Sequence, residues 1–412
     1  MIKILQVRNI DSFVESRRQK TSEKDRKTVQ KILNDVRKNG DSAVKKYERK
    51  FNGRKTSQLR VSVKEIKEAR SKISSEEVTA LQTMSSRLCI SSPKIQISGS
   101  RKFVPIPSVG CYVPGGQARY PSSVAMSVIP AKIARVKRIV VVSPPGRDGK
   151  IEPLTIVAAK MCGATEIYKV GGAQAIGALA YGTKSISKVD KIVGPGGKFV
   201  SIAKSLVSDQ TAIDMIAGPT ELGIVADTSS DPELVALDLI SQAEHSKDTM
   251  CFVITQSKTM AKQIQKSVEK LIPGTERNSI IKTSISKNGF IAVCKNQNEV
   301  IELANKIAPE HLELMVKNAK SLSKKITGAG LVLIGKNTPS AASDYLLGTN
   351  HILPTNGFGR TRGGLSVLDF LKLQTVVESK KSDLREVSKA LKALTDAEDL
   401  PNHYKAVKRR LD

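Results

Sequence analysis

Residues Arg138–Gly197 read RIVVVSPPGRDGKIEPLTIVAAKMCGATEIYKVGGAQAIGALAYGTKSISKVDKIVGPGG. The run RIVVVS (Arg138–Ser143) is short, apolar and β-branched, which is strand chemistry. A helix is expected from Glu152, and then a strand at TEIYKV (Thr165–Val170). A second helix is expected over Ala173–Tyr181, a third strand in VDKIVGPG (Val189–Gly196) and a third helix over Lys198–Val207. Strands recurring every few tens of residues, each followed by a helix, are the mark of βαβ units and a parallel sheet. Each strand runs into glycine or proline (SPPG, VGG, GPGG), and loops at the carboxyl ends of parallel strands are where such sheets hold ligands.

A second series follows: LGIVAD (Leu222–Asp227), CFVIT (Cys251–Thr255), FIAVC (Phe290–Cys294), LELMV (Leu312–Val316) and LVLIG (Leu331–Gly335). These predict a second α/β layer of the same style. Upstream, Val29, Ile32, Leu33 and Val36 repeat on one helical face, with Ser22 as N-cap and Gly40 as a stop. Asp41 opens a second helix with Val44, Tyr47 and Phe51 on it, ending near Gly53. The tail from about Leu365, including DFLKL, is expected to be helical.

The 412 residues carry a formal charge of +28, with 4% aromatic residues and no Trp. That charge permits a nucleic-acid partner, but scarce aromatics argue against a base-stacking platform, so no specific nucleic acid is expected. Within the first 60 residues, 18 Lys/Arg face 7 Asp/Glu, and the plain reading is solvated helix exteriors. Five widely spaced cysteines without a CxxC point away from a disulfide framework and towards a reducing cytoplasm. The N-terminus reaches Asp11 and Glu15 before a signal-peptide core forms, and no apolar run is long enough for a membrane span. GxGxxG, GxxxxGK[ST], HExxH and GxSxG are all absent, against a P-loop enzyme, a zinc protease of that type and an α/β-hydrolase.

Only four histidines occur. In SQAEH (Ser241–His245), Gln242 and His245 are i and i+3 on a helix, a possible half-site for a divalent metal or simply a helix end. In PEHLEL, Pro309 ends a helix before Glu310 and His311, an acid–imidazole pair able to move protons or a plain surface turn. Asp344 and His351 bracket a glycine-rich segment of few charges, and Glu398 precedes His403 near the C-terminus. VGCYVPGG (Val109–Gly116), VGGAQAIGALAYG (Val170–Gly182) and VGPGGKFV (Val193–Val200) could cradle phosphates through main-chain N–H groups. Cys111 is the candidate nucleophile if the chemistry were that of a thiol-dependent aldehyde dehydrogenase; otherwise it is a packing residue.

In order along the chain, VGCYVPGG, VGGAQAIGALAYGT, KVDKIVGPG, AIDMIAGP, DLISQAEH, PEHLEL, DYLLGTNHILPT and LSVLDFLK resemble the motifs of the histidinol dehydrogenase family. The resemblance covers about residues 20–411. It implies an α/β fold of two incomplete Rossmann-like domains with parallel-rich sheets, plus small helical N- and C-terminal segments. It implies oxidation of L-histidinol through L-histidinal to L-histidine with NAD and Zn2+, in a homodimer with shared sites. Carried over by motif, Gln242, His245, Asp344 and His403 become metal ligands, the last from the other subunit. Glu310 and His311 become the catalytic pair. Thr220, His311 and Glu398 join the metal ligands around the substrate, with His351 nearby, and Tyr112 and Gln174 fall on NAD positions. The family's GPGN reads GPGG here, so Gly197 lacks an NAD-contacting side chain, and Thr220 stands where Ser is common. The implied domains are 1–20 as an N-terminal segment, 21–111 with 221–364, 112–220 on the NAD side, and 365–412 as an exchanged tail.

Overall fold

The computed structural model describes residues 1–18, 22–53, 58–91, 101–115 and 120–412. Gly116 of the CYVPGG loop and Lys20 and Thr21 at the first expected boundary lie outside these. The chain forms two compact units. One comprises the described part of 1–93 together with 105–370; the other comprises 101–104 and 371–412.

The described residues form thirteen strands: β1 Lys3–Gln6, β2 Arg101–Pro105, β3 Ser108–Tyr112, β4 Arg138–Ser143, β5 Glu166–Lys169, β6 Lys191–Val193, β7 Ala212–Ile213, β8 Glu221–Ala226, β9 Met250–Thr255, β10 Phe290–Val293, β11 His311–Met315, β12 Leu331–Ile334 and β13 Leu371–Thr375. In the larger unit they form two sheets, ordered β1-β10-β9-β8-β11-β12 and β5-β4-β3-β6-β7. Every pairing in both is parallel. The expected α/β architecture is therefore present, and each strand expected between 138 and 335 is found.

Fully buried parallel strands show no polar alternation, and β8 and β9 are buried at every position. Successive side chains still go to opposite faces. Cys251 and Val253 join one core of the six-stranded sheet, whereas Phe252 and Ile254 join the other. A third core lies under the five-stranded sheet, where Val29, Ile32, Leu33 and Val36 meet Ile176 and Leu179. Those first four residues belong to helix Glu23–Asn52, which continues through Gly40. The backbone there has φ +52 and ψ −130, a kink that glycine accepts without a Cβ penalty, so the expected stop is a bend instead.

This helix packs against Gly172–Tyr181 and Lys198–Val207, both on the five-stranded sheet, and β3 pairs with β4 and β6. Residues 23–52 and 108–111 thus side with the five-stranded sheet, a different grouping from the 21–111 assignment. The first residues are not purely helical either, since β1 adds an edge strand to the six-stranded sheet.

In the smaller unit, β13 pairs with β2, and helices Lys381–Ala397 and Pro401–Leu411 pack together. The expectation of a wholly helical tail fails at DFLKL. Val367–Phe370 is a 3-10 turn and Leu371–Thr375 a strand, because the Leu-Lys-Leu-Gln-Thr alternation has a period of two. No described helix is long and apolar enough to cross a membrane.

The GPGG loop after β6 is held by a buried charge pair. Lys204 donates to the Gly194 carbonyl at 2.9 Å and pairs with Asp214, whose carboxylate accepts the Gly194 N–H at 2.7 Å. Both side chains are within 2% of full burial. Removing the cation strands a buried carboxylate, so Lys204→Met should cost about 3–5 kcal/mol in chemical denaturation. A loss below about 1 kcal/mol would mean that the pair does not hold the loop.

Candidate active site

Thr220, Gln242, His245, Glu310, His311 and Asp344 converge on the amino edge of β8 and β11, not on the carboxyl edge that parallel sheets ordinarily use. Glu221 and His311 are the first residues of these neighbouring strands. Thr220 and Glu310 stand just before them. Helix Pro232–Ala243 runs back from β8 and delivers Gln242 in its last turn and His245 just beyond it. Its start is fixed by the Asp231 side chain, which caps Glu233 and Leu234, and by Pro232 in the first turn.

The side chains form a linked series. Gln242 Nε2 donates to Thr220 Oγ1 at 2.8 Å, and Thr220 in turn donates to Glu310 Oε2. Glu310 Oε2 also accepts the Glu221 N–H at 2.9 Å. His311 Nδ1 lies 3.9 Å from Glu310 Oε2, and its Nε2 is 3.1 Å from Asp344 Oδ1. The His351 Nδ1–H donates to the Asp344 carbonyl at 2.8 Å, which leaves its Nε2 as an acceptor for the Ser123 hydroxyl at 3.3 Å.

Asp344 caps the end of the short helix Ser340–Ser343. That helix is tied to β11 by the Ser340 N–H, which donates to Glu313 Oε1 at 2.7 Å. Burial raises the carboxyl groups of both Glu313 and Asp238, the latter on helix Pro232–Ala243, and the Asp238 charge pushes Glu313 further up. The Ser340–Glu313 hydrogen bond therefore joins the element that presents His311 to the one that presents Asp344.

Burial alone would lower the His311 ring pKa. The Asp344 hydrogen bond and the charges of Glu310 and Asp344 outweigh it and raise the ring to about 9. Burial raises the Glu310 carboxyl, partly offset by His311, Thr220 and the Glu221 N–H. Asp344 moves the other way: burial opposes ionisation, but His311 and the neighbouring rings of His351 and His245 hold it below the usual carboxylate range. Burial lowers both His351 and His245, which favours neutral imidazoles. The His245 ring is nonetheless open to solvent.

Gln242, His245 and Asp344 are thus gathered with Thr220, Glu310, His311 and His351 in one unit. Glu398 and His403 belong to the other unit, at the end of helix Lys381–Ala397 and on helix Pro401–Leu411, and both are exposed. Among the described residues no group of three or more His, Cys, Asp and Glu side chains is spaced to hold a metal.

On the five-stranded sheet, Tyr112 ends β3 and its hydroxyl accepts the Gly172 N–H at 3.1 Å. Gln174 is buried, its amide nitrogen donating to Glu48 Oε1 at 2.8 Å while its oxygen finds no partner. Glu48, from helix Glu23–Asn52, also accepts the Gly171 N–H at 2.9 Å. The main-chain amides of the VGG turn are therefore already taken by Glu48 and Tyr112, and they do not form the open phosphate cradle expected there. At Gly197, by contrast, an added Cβ would meet nothing within 4 Å. Cys111 is fully buried and its thiol is pushed up to about 12, which removes it as a thiolate nucleophile.

Sequence reasoning missed Glu221, Ser123 and Glu48. Glu221 had a signal: a lone acid heading the otherwise apolar run ELGIVA. Glu48 had none, because it looks like any charged helix residue until the topology folds it onto the VGG turn.

A family profile described as histidinol dehydrogenase matches residues 15–411. A histidinol dehydrogenase from Methanococcus maripaludis is 44% identical, with 93% of each chain covered. One from Oceanobacillus iheyensis is 41% identical over 93% of this chain and 92% of its own. The crystal structure of histidinol dehydrogenase from Elizabethkingia anophelis superposes with a TM-score of 0.92 at 34% identity, covering 100% of this chain and 98% of that one. Together with the linked Gln242–Thr220–Glu310 and His311–Asp344 geometry, these similarities establish that the chain belongs to the histidinol dehydrogenase family.

Proposed function

We propose that this chain oxidises L-histidinol through L-histidinal to L-histidine, the closing steps of histidine biosynthesis, using NAD and a zinc ion in a homodimer with shared sites. The observation that carries this reading is the buried series joining Gln242 and Thr220 to Glu310, with His311 and Asp344 beside it, in a chain of this family.

The donor set suits zinc: an amide oxygen, a neutral imidazole and a carboxylate, without thiolate. Thr220 fixes the amide nitrogen of Gln242, which turns its oxygen away from that bond. Gln242, His245 and Asp344 would hold the ion with His403 of the partner subunit. Support for an exchanged tail comes from the apolar side chains that its helices and strand leave exposed, including Leu373, Val387 and Leu394. Tyr112 and Gln174 would lie on the NAD side, where Gln174 keeps an unpartnered oxygen.

When bound, NAD supplies the hydride acceptor and zinc orients the substrate's amine and imidazole. The chain's own residues manage the protons. His311 removes the alcohol proton as the carbon loses hydride. Asp344 would be among the residues holding the cation, and His311, no longer paired with it, would then be available as a base. An aldehyde must gain water before a second hydride can leave. Glu310, buried beside the Thr220 hydroxyl, activates that water and takes its proton. Glu398 of the partner subunit and His351 complete the substrate's surroundings.

Purified enzyme given L-histidinol should form two NADH per substrate, lose activity on chelation and recover it with zinc; a single NADH would exclude the four-electron reading. His311→Gln should lower kcat by about 10²–10⁴-fold with an unchanged melting transition, and normal turnover would remove His311 as the base. Gly197→Asn should fold normally, since the position is open and asparagine favours helix N-caps. It should also lower the KM for NAD severalfold, and an unchanged KM would show that the missing side chain is not a cofactor contact.

A further inference from the structure

Glu221 and Glu310 occupy matching positions in adjacent parallel strands, one residue before the Leu222–His311 pair. Each main-chain N–H reaches the other's carboxyl group. Glu221 N–H donates to Glu310 Oε2 at 2.9 Å, and Glu310 N–H donates to Glu221 Oε2 at 3.3 Å. The second oxygen of Glu221 accepts the Asn356 N–H at 2.9 Å. Asn356 has a φ of +54 and precedes Gly357 at +85, a tight turn that Thr355 also anchors by accepting the Gly218 N–H. The Glu221 side chain thus binds the turn at 355–357 to the main chain of the catalytic pair.

Such a carboxyl group is costly for the fold. Glu221 is 3% exposed, and burial, with a further push from Glu310, raises it to about 8. Among the described residues the cation Arg18 acts on it, with Arg360 beside that guanidinium. Arg18 also donates to the Ile307 and Lys306 carbonyls at 2.9 and 2.6 Å, clamping the chain that leads into Glu310. An apolar residue at the head of β8 would avoid the desolvation. Held neutral at physiological pH, Glu221 adds no negative charge beside Glu310 while still accepting two amide hydrogens.

We infer that Glu221 is a positioning residue that fixes the main chain of Glu310, and so aims the Glu310 carboxylate at Thr220 and the water used in the aldehyde step. The inference rests on Glu310 being the base of that step. Glu221→Gln keeps the volume and neutrality but replaces one acceptor oxygen with an NH2 group, so one of the two amides loses its partner.

The test follows NADH formation in single turnovers of the full-length, zinc-loaded enzyme, with L-histidinol and L-histidinal supplied separately. Glu221→Gln should slow aldehyde oxidation about 10–100-fold and alcohol oxidation by a clearly smaller factor, with zinc content and the KM for NAD unchanged. Glu221→Asp keeps the carboxyl group but falls short of both amides; it should show the same selective loss and carries the test if the glutamine variant does not fold. Equal slowing of both steps, or of neither, in the folded variant overturns the inference. Glu310→Gln run alongside separates the two ideas. If it leaves aldehyde oxidation intact, the base assignment itself falls. If it abolishes that step while the Glu221 variants keep the native ratio, only the positioning role is lost.

Discussion

The site depends on how two adjacent strands begin. β8 and β11 lie parallel and in register, and at their amino ends each offers the other an acid and an amide. Around this clasp, Thr220 joins Gln242 to Glu310, and His311 takes up Asp344. The constraint is electrostatic as much as geometric. Glu221, Glu310 and Asp344 stand close together with little solvent, and they can coexist only because one keeps its proton, one is met by hydroxyl and amide donors, and one is paired with an imidazole.

Away from this edge the molecule is a scaffold of local agreement between sequence and structure. Apolar β-branched runs form the strands, and capped helices return the chain between them. The same agreement explains what the sequence made legible. The strands at 138–143, 166–169, 250–255 and 290–293 are short, buried on both faces and bounded by turn residues, so periodicity and punctuation suffice to find them. β3 was obscured because Gly110 interrupts it; that glycine is there because Leu179 packs within 2.8 Å of where its Cβ would sit. DFLKL misled because its leucines suit either period over so few residues. Only pairing with β2 decides between them, and that contact is distant in sequence.

For the site, the histidines and their polar neighbours drew attention to Gln242, His245, Glu310, His311 and Asp344, and the fold gathers these in one unit. Their roles came from family resemblance and not from spacing, since nothing local distinguishes a ligating glutamine from one at an ordinary helix end. The residues that went unseen act across long separations. Glu48 reaches a turn more than a hundred residues away, and Glu221 engages Asn356 at a similar remove. Such contacts leave no periodic trace.

Gathering these polar side chains at the amino edge of a parallel sheet has an electrical consequence. There the connecting helices finish instead of starting, so the backbone presents carbonyl oxygens, and the helix ending at Ala243 turns its negative pole towards Gln242 and His245. That polarity welcomes positive charge and repels phosphate. The glycine turns after β5 and β6 belong to the opposite kind of edge, where helices start, and after β5 an acid, Glu48, already takes an amide hydrogen. The two sheets therefore sort charge by backbone direction alone, before any side chain is chosen.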